Sequence, residues 1–242
     1  CSVVMRSPRK SRRVAEIATI EDPDDGVEFL PETVTTAVIR DDALYSGVRV
    51  TMTAQLATAQ VKLRLDINFG DPVTPAPRTV DLPSLRPDTP PIRILGYPIE
   101  TVLAEKLVTA IELRRANTRV RDFADIHLLT GTQALQCGEL RDALTATAGF
   151  RGTTLIPLAQ AAEGLAVLRN STYAAYRTAL GEAGASLPER FSDTVAAVAV
   201  FVDPVLGGLD AEAVWSPAER SWSATPVTPS GPTETAIGRT DL

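Results

Sequence analysis

The chain has 242 residues, 44% of them hydrophobic and 22% charged, a balance that is typical of globular domains and excludes a fibrous or largely disordered protein. Its formal net charge of −6 excludes the overall basic field that draws many proteins to nucleic acid, so any contact with RNA must be local. The longest apolar run, residues 195–202, is far shorter than the roughly 20 residues that a membrane span requires. The two cysteines, Cys1 and Cys137, form no metal-ligand or disulfide pattern and suit a reducing cytoplasm.

The first part of the chain is predicted to be a short helix followed by an antiparallel β-meander. Apolar residues recur at helical spacing from residue 11 to residue 20, and the turn-forming sequence EDPDDG ends that helix. Four strand-like segments follow it, and alternating apolar residues mark the last two of them most clearly. The predicted strands are 26–30, 34–40, 47–56 and 60–69.

The second part of the chain is predicted to be helical. Residues 71–98 are rich in proline, which favours loops and edge strands, with short extended pieces at 78–82 and 92–95. From residue 99 the apolar residues follow helical periodicity. The predicted helices are 100–115, 120–129, 139–147, 158–168, 172–183 and 189–202. After residue 210 the composition becomes typical of a disordered tail, although Trp215 and Trp222 indicate one docked turn of chain.

These elements predict the fold class α+β and four segments along the chain. The first, 1–13, is expected to be disordered or to lie outside the fold. An α+β domain is expected at 14–98, a helical domain at 99–210 and a mostly disordered tail at 211–242.

Lys106 is the least expected residue of the first long helix. At 100° per residue it points into the centre of the apolar stripe, four residues after Val102 and four residues before Ala110. Burying an unpaired ammonium costs several kcal/mol, so this lysine requires an acidic partner, a route to solvent or a phosphate ligand. The alternative is that Lys106 snorkels to the edge of the helix face and only covers apolar area.

Three aspartates are candidates for a charged site. Asp66 lies on the polar face of the last predicted strand, where an open cleft would explain a poor strand former. Charges that pair across strands on an exposed face are the more common situation. Asp122 and Asp125 are three residues apart and share a helix face, so they repel each other unless a cation such as lysine or Mg²⁺ joins them. Asp122 is also placed to cap its helix or to complement the helix dipole.

Basic and imidazole side chains give weaker signals. Four arginines surround the connection between the first two long helices, a cluster that is usually a solvated surface but that can contact phosphates. They are Arg114, Arg115, Arg119 and Arg121. His127 is the only histidine, and nothing near it in the sequence completes a Ser/His/Asp or Cys/His arrangement, so a hydrolase triad is not expected. The sequence contains no glycine-rich phosphate loop and no DNA-binding motif.

Two sequence segments resemble the AbiEii/AbiGii toxin family, whose members are also called MenT-type nucleotidyltransferases. The segments are LRLDINFGDPVTP at 63–75 and ILGYPIETVLAEKLVTAIELRRANTRVRDFADIHLLTG at 94–131. The order and spacing of the strand, the lysine helix and the RDFAD helix agree with the family. A weaker resemblance extends from about residue 14 to about residue 222.

The resemblance implies an incomplete DNA-polymerase-β-like nucleotidyltransferase sheet followed by a C-terminal helical bundle. It implies a toxin of a toxin–antitoxin or abortive-infection system that transfers a nucleotide from an NTP to RNA, in some relatives to the 3′ end of tRNA. By position, Lys106, Asp66 and Asp125 would be catalytic residues. Lys106 and Asp122 would bind the nucleotide, and Asp66 would be a ligand of Mg²⁺. The implied partners are an antitoxin and tRNA or another RNA, in the cytoplasm.

The chain departs from the family in one respect. The family carries an early Gly-Gly or Gly-Ser turn and a D-x-D strand that supplies the two main metal ligands, and these 242 residues contain neither. The nearest D-x-D, Asp22 to Asp24, contains a proline and sits in a predicted turn. We therefore expect the chain as it stands to lack metal-dependent transfer.

Three hypotheses remain open at this point. The first is an NTP:RNA nucleotidyltransferase toxin whose N-terminal catalytic strand pair was lost from this sequence. The second is a catalytically inactive remnant that retains an antitoxin- or RNA-binding surface, and the third is an ordinary structural or ligand-binding α+β domain. In an active enzyme, Lys106→Ala is expected to abolish transfer and to leave stability almost unchanged, because it removes an ammonium from an apolar face.

Overall fold

The computed structural model describes residues 8–20, 26–39, 47–67, 72–85 and 88–223. The chain divides into two compact units, Cys1–Asp71 and Pro72–Leu242. Several parts of the predicted organisation lie outside the described residues. They are the start at 1–7, the D-x-D at Asp22 to Asp24, the end of the fourth predicted strand at 68–69 and the tail beyond residue 223.

The first unit contains one helix and a three-stranded sheet. The elements are α1 (Pro8–Ile17), β1 (Val27–Ile39), β2 (Gly47–Leu56) and β3 (Ala59–Ile67). The strands pair antiparallel in the order β1-β2-β3, which confirms the predicted meander. Val50, Met52 and Ala54 of β2 are buried, as expected for alternate residues on the core face of a strand.

The strand β1 corrects the prediction of two separate strands. Its pairing register with β2 shifts after Leu30, where Pro31 follows and has no N–H to donate to a strand ladder. The Thr33 hydroxyl donates to the Leu30 carbonyl at 2.7 Å and accepts from the Thr53 N–H at 2.9 Å. The Thr33 hydroxyl thus forms hydrogen bonds with one backbone carbonyl and one backbone N–H at the register shift. The strand therefore continues through a bulge instead of ending there.

The second unit opens with a two-stranded hairpin, β4 (Arg78–Leu82) and β5 (Ile92–Gly96), which confirms the two predicted extended pieces. The hairpin belongs with the helices. Arg78 forms an ion pair with Glu139 at 3.3 Å, and Thr101 exchanges hydrogen bonds with the backbone of Thr74. The boundary between units therefore lies at Asp71–Pro72 and not at the expected position between residues 98 and 99.

Helices form the bulk of the second unit and enclose its apolar core. They are α2 (Ile99–Leu113), α3 (Val120–Thr130), α4 (Cys137–Arg151), α5 (Leu158–Ala161), α6 (Leu165–Ala179) and α7 (Phe191–Leu206), with 3₁₀ turns at Arg114–Ala116 and Gly181–Ser186. The aromatic centre of the core is Phe191, which stacks on Tyr173 and meets Phe123 edge-on. Among the residues that the structure describes, no helical segment combines the length and the hydrophobicity of a membrane span.

The predicted helices 158–168 and 172–183 have the wrong boundary between them. The chain breaks at Gly164, whose φ of +73° is readily adopted only by glycine. The helix α6 then runs without interruption from Leu165 to Ala179. Arg169 and Asn170, which lie between the two predicted helices, belong to α6 and hydrogen-bond to the Asn117 carbonyl and to the Phe191 N–H.

The C-terminal part of the described chain forms a small sheet that the composition did not predict. The strands β6 (Leu135–Gln136), β7 (Val214–Ser216) and β8 (Ser221–Ser223) pair in that order. Trp215 is 2% exposed and donates from Nε1 to the carbonyl of Thr130 at 2.7 Å. Trp222 donates to the carbonyl of Phe201 at the same distance. Within the segment that was expected to be a mostly disordered tail, residues 214–216 and 221–223 therefore form strands, because the two tryptophans pack their rings against Phe201 of α7.

Candidate active site

The helix α2 is buried on most of its circumference. Its most buried residues include Leu103, Leu107 and Ile111, which face α3, α4 and α5. Lys106 lies at the edge of this buried surface and not at its centre, and its side chain is 20% exposed. A lysine at such an edge can extend along the helix surface toward an acidic partner on the neighbouring helix.

The ammonium of Lys106 joins the two aspartates of α3. Its Nζ donates to Asp125 Oδ2 at 2.7 Å and to Asp122 Oδ1 at 3.0 Å. Asp122 is 5% exposed at its side chain and Asp125 is 31% exposed. The structure therefore brings together three of the four predicted site residues. It also identifies lysine as the cation that relieves repulsion between the two carboxylates.

Arg119 is a member of this cluster that the sequence placed only in a general basic patch. It donates from Nε and Nη2 to the carboxylate of Asp122, so Asp122 is shared between two cations. The spacing of three residues at a helix start could have indicated this pair. The Asn117 side chain accepts from the Arg119 N–H at 2.7 Å, and the Asn117 carbonyl accepts from Arg169 at 2.8 Å, which ties the loop before α3 to α6.

Burial and ion pairing shift the pKa values of Lys106 and Asp122 in opposite directions. Burial lowers the pKa of Lys106, but its hydrogen bonds to Asp125 and Asp122 and their charges outweigh burial, so the pKa is raised above its ordinary value. Burial raises the pKa of Asp122, but Arg119 and Lys106 outweigh it, and the net pKa is lowered. Both groups are therefore charged at neutral pH, and the cluster presents an ammonium held in one position.

Asp66 lies in the other unit, on β3, where it pairs across the strand with Arg49. Arg49 donates from Nε to Oδ1 at 2.7 Å and from Nη2 to Oδ2 at 2.8 Å. Both side chains are nearly half exposed. This geometry agrees with a cross-strand charge pair on an exposed face, and the proposed role of Asp66 as a metal ligand remains a prediction.

The described carboxylates do not by themselves fit a magnesium ion. Mg²⁺ requires oxygen ligands arranged close together around the ion. Within the described ranges, no group of three or more His, Cys, Asp or Glu residues is placed to hold a metal. Both oxygens of Asp66 and both oxygens of Asp122 already accept hydrogen bonds from cationic side chains.

His127 lies on α3, two residues beyond Asp125, and is 7% exposed. Arg220 donates to the His127 carbonyl at 3.2 Å, and its guanidinium lies 3.5 Å from the Nδ1 of the ring. Burial, together with the charge of Arg220, lowers the pKa of His127 to about 4. The imidazole of His127 is therefore neutral at pH 7 and lies beside the guanidinium of Arg220.

The depressed pKa of His127 predicts a loss of stability in mild acid. The unfolded chain binds a proton near pH 6.5 and the folded chain only near pH 4. The contribution of the neutral ring to the free energy of unfolding is therefore complete above pH 6.5. This contribution declines by about 3 kcal/mol as the pH falls to 4, at ~1.4 kcal/mol per pKa unit. Urea titrations of the protein and of His127→Gln across this range measure the difference.

The variant serves as the control because glutamine does not titrate. Its free energy of unfolding is expected to fall less than that of the parent between pH 6.5 and 4. Parallel curves would contradict the prediction. Asp122 does not interfere in this range, because stability from a lowered carboxylate pKa is lost only below its ordinary value of 3.8.

A family model described as nucleotidyl transferase AbiEii toxin, type IV toxin–antitoxin system, matches residues 7–197. The match includes Asp66, Lys106, Asp122 and Asp125. The match also begins before residue 14, where the sequence resemblance was expected to start, and residues 8–13 form the first part of α1. No curated protein and no solved structure matches the chain significantly. The chain belongs to the AbiEii family of nucleotidyl transferase toxins of type IV toxin–antitoxin systems.

Proposed function

We propose that this protein is a toxin that transfers a nucleotide from an NTP to RNA, with the 3′ end of tRNA as the acceptor. Membership of the AbiEii family implies nucleotidyl transfer and an antitoxin partner. The RNA acceptor is our proposal, and so is a polymerase-β-like arrangement in which β1 to β3 form part of the nucleotidyltransferase sheet. The antiparallel sheet with an aspartate on its third strand supports that arrangement.

The observation that carries the proposal is the Lys106 ammonium held between Asp122 and Asp125. A lysine ammonium recognises phosphate oxygens as a compact point charge. Asp125 is the more exposed of its two partners, so a triphosphate oxygen can take the place of Asp125 at the ammonium. Asp122 is buried and also bound to Arg119, so it continues to position Lys106 when the phosphate binds.

The proposed reaction requires no covalent enzyme intermediate. The 3′-hydroxyl oxygen of the RNA forms a bond to the α-phosphorus of the NTP, the bond from that phosphorus to the bridging oxygen breaks, and pyrophosphate leaves with release of the hydroxyl proton. Lys106 stabilises negative charge on the phosphate oxygens during this exchange. The described carboxylates form no magnesium site, so we assign no step to Mg²⁺ and include it in the assay because the family resemblance implies it.

The test is label transfer from NTP to RNA. The protein, expressed from its full-length reading frame, is incubated with tRNA, Mg²⁺ and each of the four NTPs labelled at the α-phosphate, and labelled RNA is expected with at least one of them. The matched control is the same tRNA with its 3′-terminal ribose oxidised by periodate, which removes the acceptor hydroxyl and is expected to abolish labelling.

Two outcomes would contradict this function. Equal labelling of oxidised and intact tRNA would exclude the 3′ end as the acceptor. Absence of label with all four NTPs would leave the chain as a non-catalytic member of the family that binds RNA or an antitoxin. Binding of unlabelled tRNA, measured in the same preparation, would then distinguish these two partners.

A further inference from the structure

A cavity of about 610 Å³ lies in the helical unit, between the end of α2 and the start of α6. Its lining includes Arg114, Arg115, Glu163, Val167 and Leu168. None of the residues of the Lys106 cluster lines it. The volume falls within the range of cavities that bind small molecules, roughly 300 to 1,000 Å³.

Among the residues that the structure describes, the two arginines of the cavity have no carboxylate partner. Neither Arg114 nor Arg115 forms an ion pair or a side-chain hydrogen bond with the described residues, whereas the nearby Arg119 is bound to Asp122. Both guanidinium groups are exposed and line the cavity together with Glu163, whose carboxylate forms no described ion pair with either of them. Their fork of N–H donors matches the oxygens of a phosphate or carboxylate.

The backbone around the cavity brings these guanidinium groups to it. Arg114 ends α2 with a φ of +48°, a conformation that side-chain-bearing residues rarely adopt and that persists only where the surroundings maintain it. Gly164 has a φ of +73°, and a Cβ at this position would lie 3.4 Å from the Arg115 Nε. That distance is an ordinary van der Waals contact, so the Arg115 side chain lies beside the backbone at the start of α6, and the positive φ is what favours glycine there.

The rest of the lining is suited to an organic group. Val167 is 86% exposed and Leu168 is 47% exposed, so a ligand that covers them removes apolar surface from water. Glu163 supplies an acceptor for hydroxyl or amino groups of a ligand. A bare inorganic anion would use only the arginines, whereas a nucleotide has a phosphate, ribose hydroxyls and an apolar base face.

We propose that this cavity binds a phosphate ester of the nucleotide type, with the phosphate at Arg114 and Arg115 and the organic part against Val167 and Leu168. The ligand is either a free nucleotide or a nucleotide within an RNA chain, since both present the same groups. The proposal rests on the cavity and does not depend on the transfer reaction at Lys106.

Calorimetric titration of the full chain tests the proposal with three probes: inorganic phosphate, the four nucleoside 5′-monophosphates and a single-stranded RNA oligonucleotide. A monophosphate or the oligonucleotide is expected to bind more tightly than phosphate. Arg114→Ala and Arg115→Ala are each expected to weaken that binding by roughly tenfold, as for the loss of a charge-assisted hydrogen bond. Arg190→Ala is the matched control, because Arg190 is an exposed arginine at the start of α7.

A second pair of variants tests the apolar wall. Val167→Glu places a negative charge in the cavity and is expected to weaken binding of the nucleotide at least as much as the loss of one arginine. Val200→Glu is the matched control, because Val200 is 58% exposed on α7 and does not line the cavity. All of these positions are on the surface, and thermal unfolding checks that each variant is folded.

The outcomes separate the ligand sources and the two sites. Tighter binding of the oligonucleotide than of every monophosphate identifies RNA, and the reverse order identifies a free nucleotide. The proposal is overturned if none of the probes binds, or if Arg114→Ala, Arg115→Ala and Val167→Glu bind as the parent does. The proposal is also overturned if Lys106→Met abolishes nucleotide binding and the three substitutions in the cavity leave that binding unchanged. Absence of label transfer would overturn only the proposed function.

Discussion

Replacement of Lys106 by methionine is expected to abolish nucleotide transfer and to lower the free energy of unfolding by about 1–3 kcal/mol. Methionine keeps most of the apolar stem and removes the ammonium, so the change isolates the charge. Transfer is lost because no other described cation lies between Asp122 and Asp125 to receive the phosphate. Stability falls because Asp122, only 5% exposed, loses one of its two cationic partners.

This expectation reverses the one drawn from the sequence, in which removal of Lys106 relieved a desolvation cost and left stability almost unchanged. The reversal follows from the two hydrogen bonds of the ammonium at 2.7 and 3.0 Å. Breaking a buried pair by removing one partner leaves the other charge uncompensated. The loss is smaller than for a fully buried pair, because Asp122 keeps Arg119 and Asp125 is 31% exposed.

Label transfer and urea denaturation of the Lys106→Met variant measure both effects. Lys62→Met is the matched control, because Lys62 is an exposed lysine on β3, and it is expected to change stability by less than about 0.5 kcal/mol. The stability gap between Lys106→Met and the parent should narrow as pH falls below 4, since a protonated Asp122 no longer needs a cation. A variant that transfers at the parental rate would remove Lys106 from the proposed active site.

Replacement of Trp215 by alanine is expected to lower the free energy of unfolding by about 3–5 kcal/mol. Trp215 is 2% exposed, packs edge-on against Phe201 and Trp222, and donates a hydrogen bond to the carbonyl of Thr130. Its removal leaves a large cavity and an unsatisfied carbonyl at the end of α3. Guanidinium or urea denaturation followed by circular dichroism measures the loss.

Tyr97→Ala is the matched control for Trp215→Ala. It also deletes an aromatic ring, but from a side chain that is 63% exposed, and it is expected to cost less than about 1 kcal/mol. Similar losses in the two variants would show that the C-terminal strands β7 and β8 are not part of the folded core. The comparison therefore tests whether the ordered part of the chain extends beyond residue 210.

The C-terminal strands also bear on the candidate active site. Trp215 and Arg220 donate to the carbonyls of Thr130 and His127, which lie in the last turns of α3. The same helix carries Asp122 and Asp125 in its first turns. Trp215 and Arg220, in the segment expected to be a tail, therefore stabilise the helix whose aspartates bind Lys106. We expect Trp215→Ala to reduce nucleotide transfer as well as stability.

Local sequence patterns determined much of the fold. Alternation of Val50, Met52 and Ala54 predicted the core face of β2, and the helical periodicity of the segments around Lys106 and Asp122 predicted α2 and α3 within a few residues. These patterns are reliable because they arise from the geometry of a single strand or helix. The spacing of three residues likewise placed Asp122 and Asp125 on one helix face.

Tertiary packing decided which of these surfaces meet. Lys106 is 16 residues from Asp122 and 19 from Asp125 along the chain, and no periodicity states that the two helices bring these charges within hydrogen-bond distance. The burial of Trp215 depended in the same way on its position beside α7, because the surrounding sequence has the composition of a loop. A periodic pattern specifies which side of an element is apolar, whereas the neighbour that covers it is selected by the packing of the whole unit.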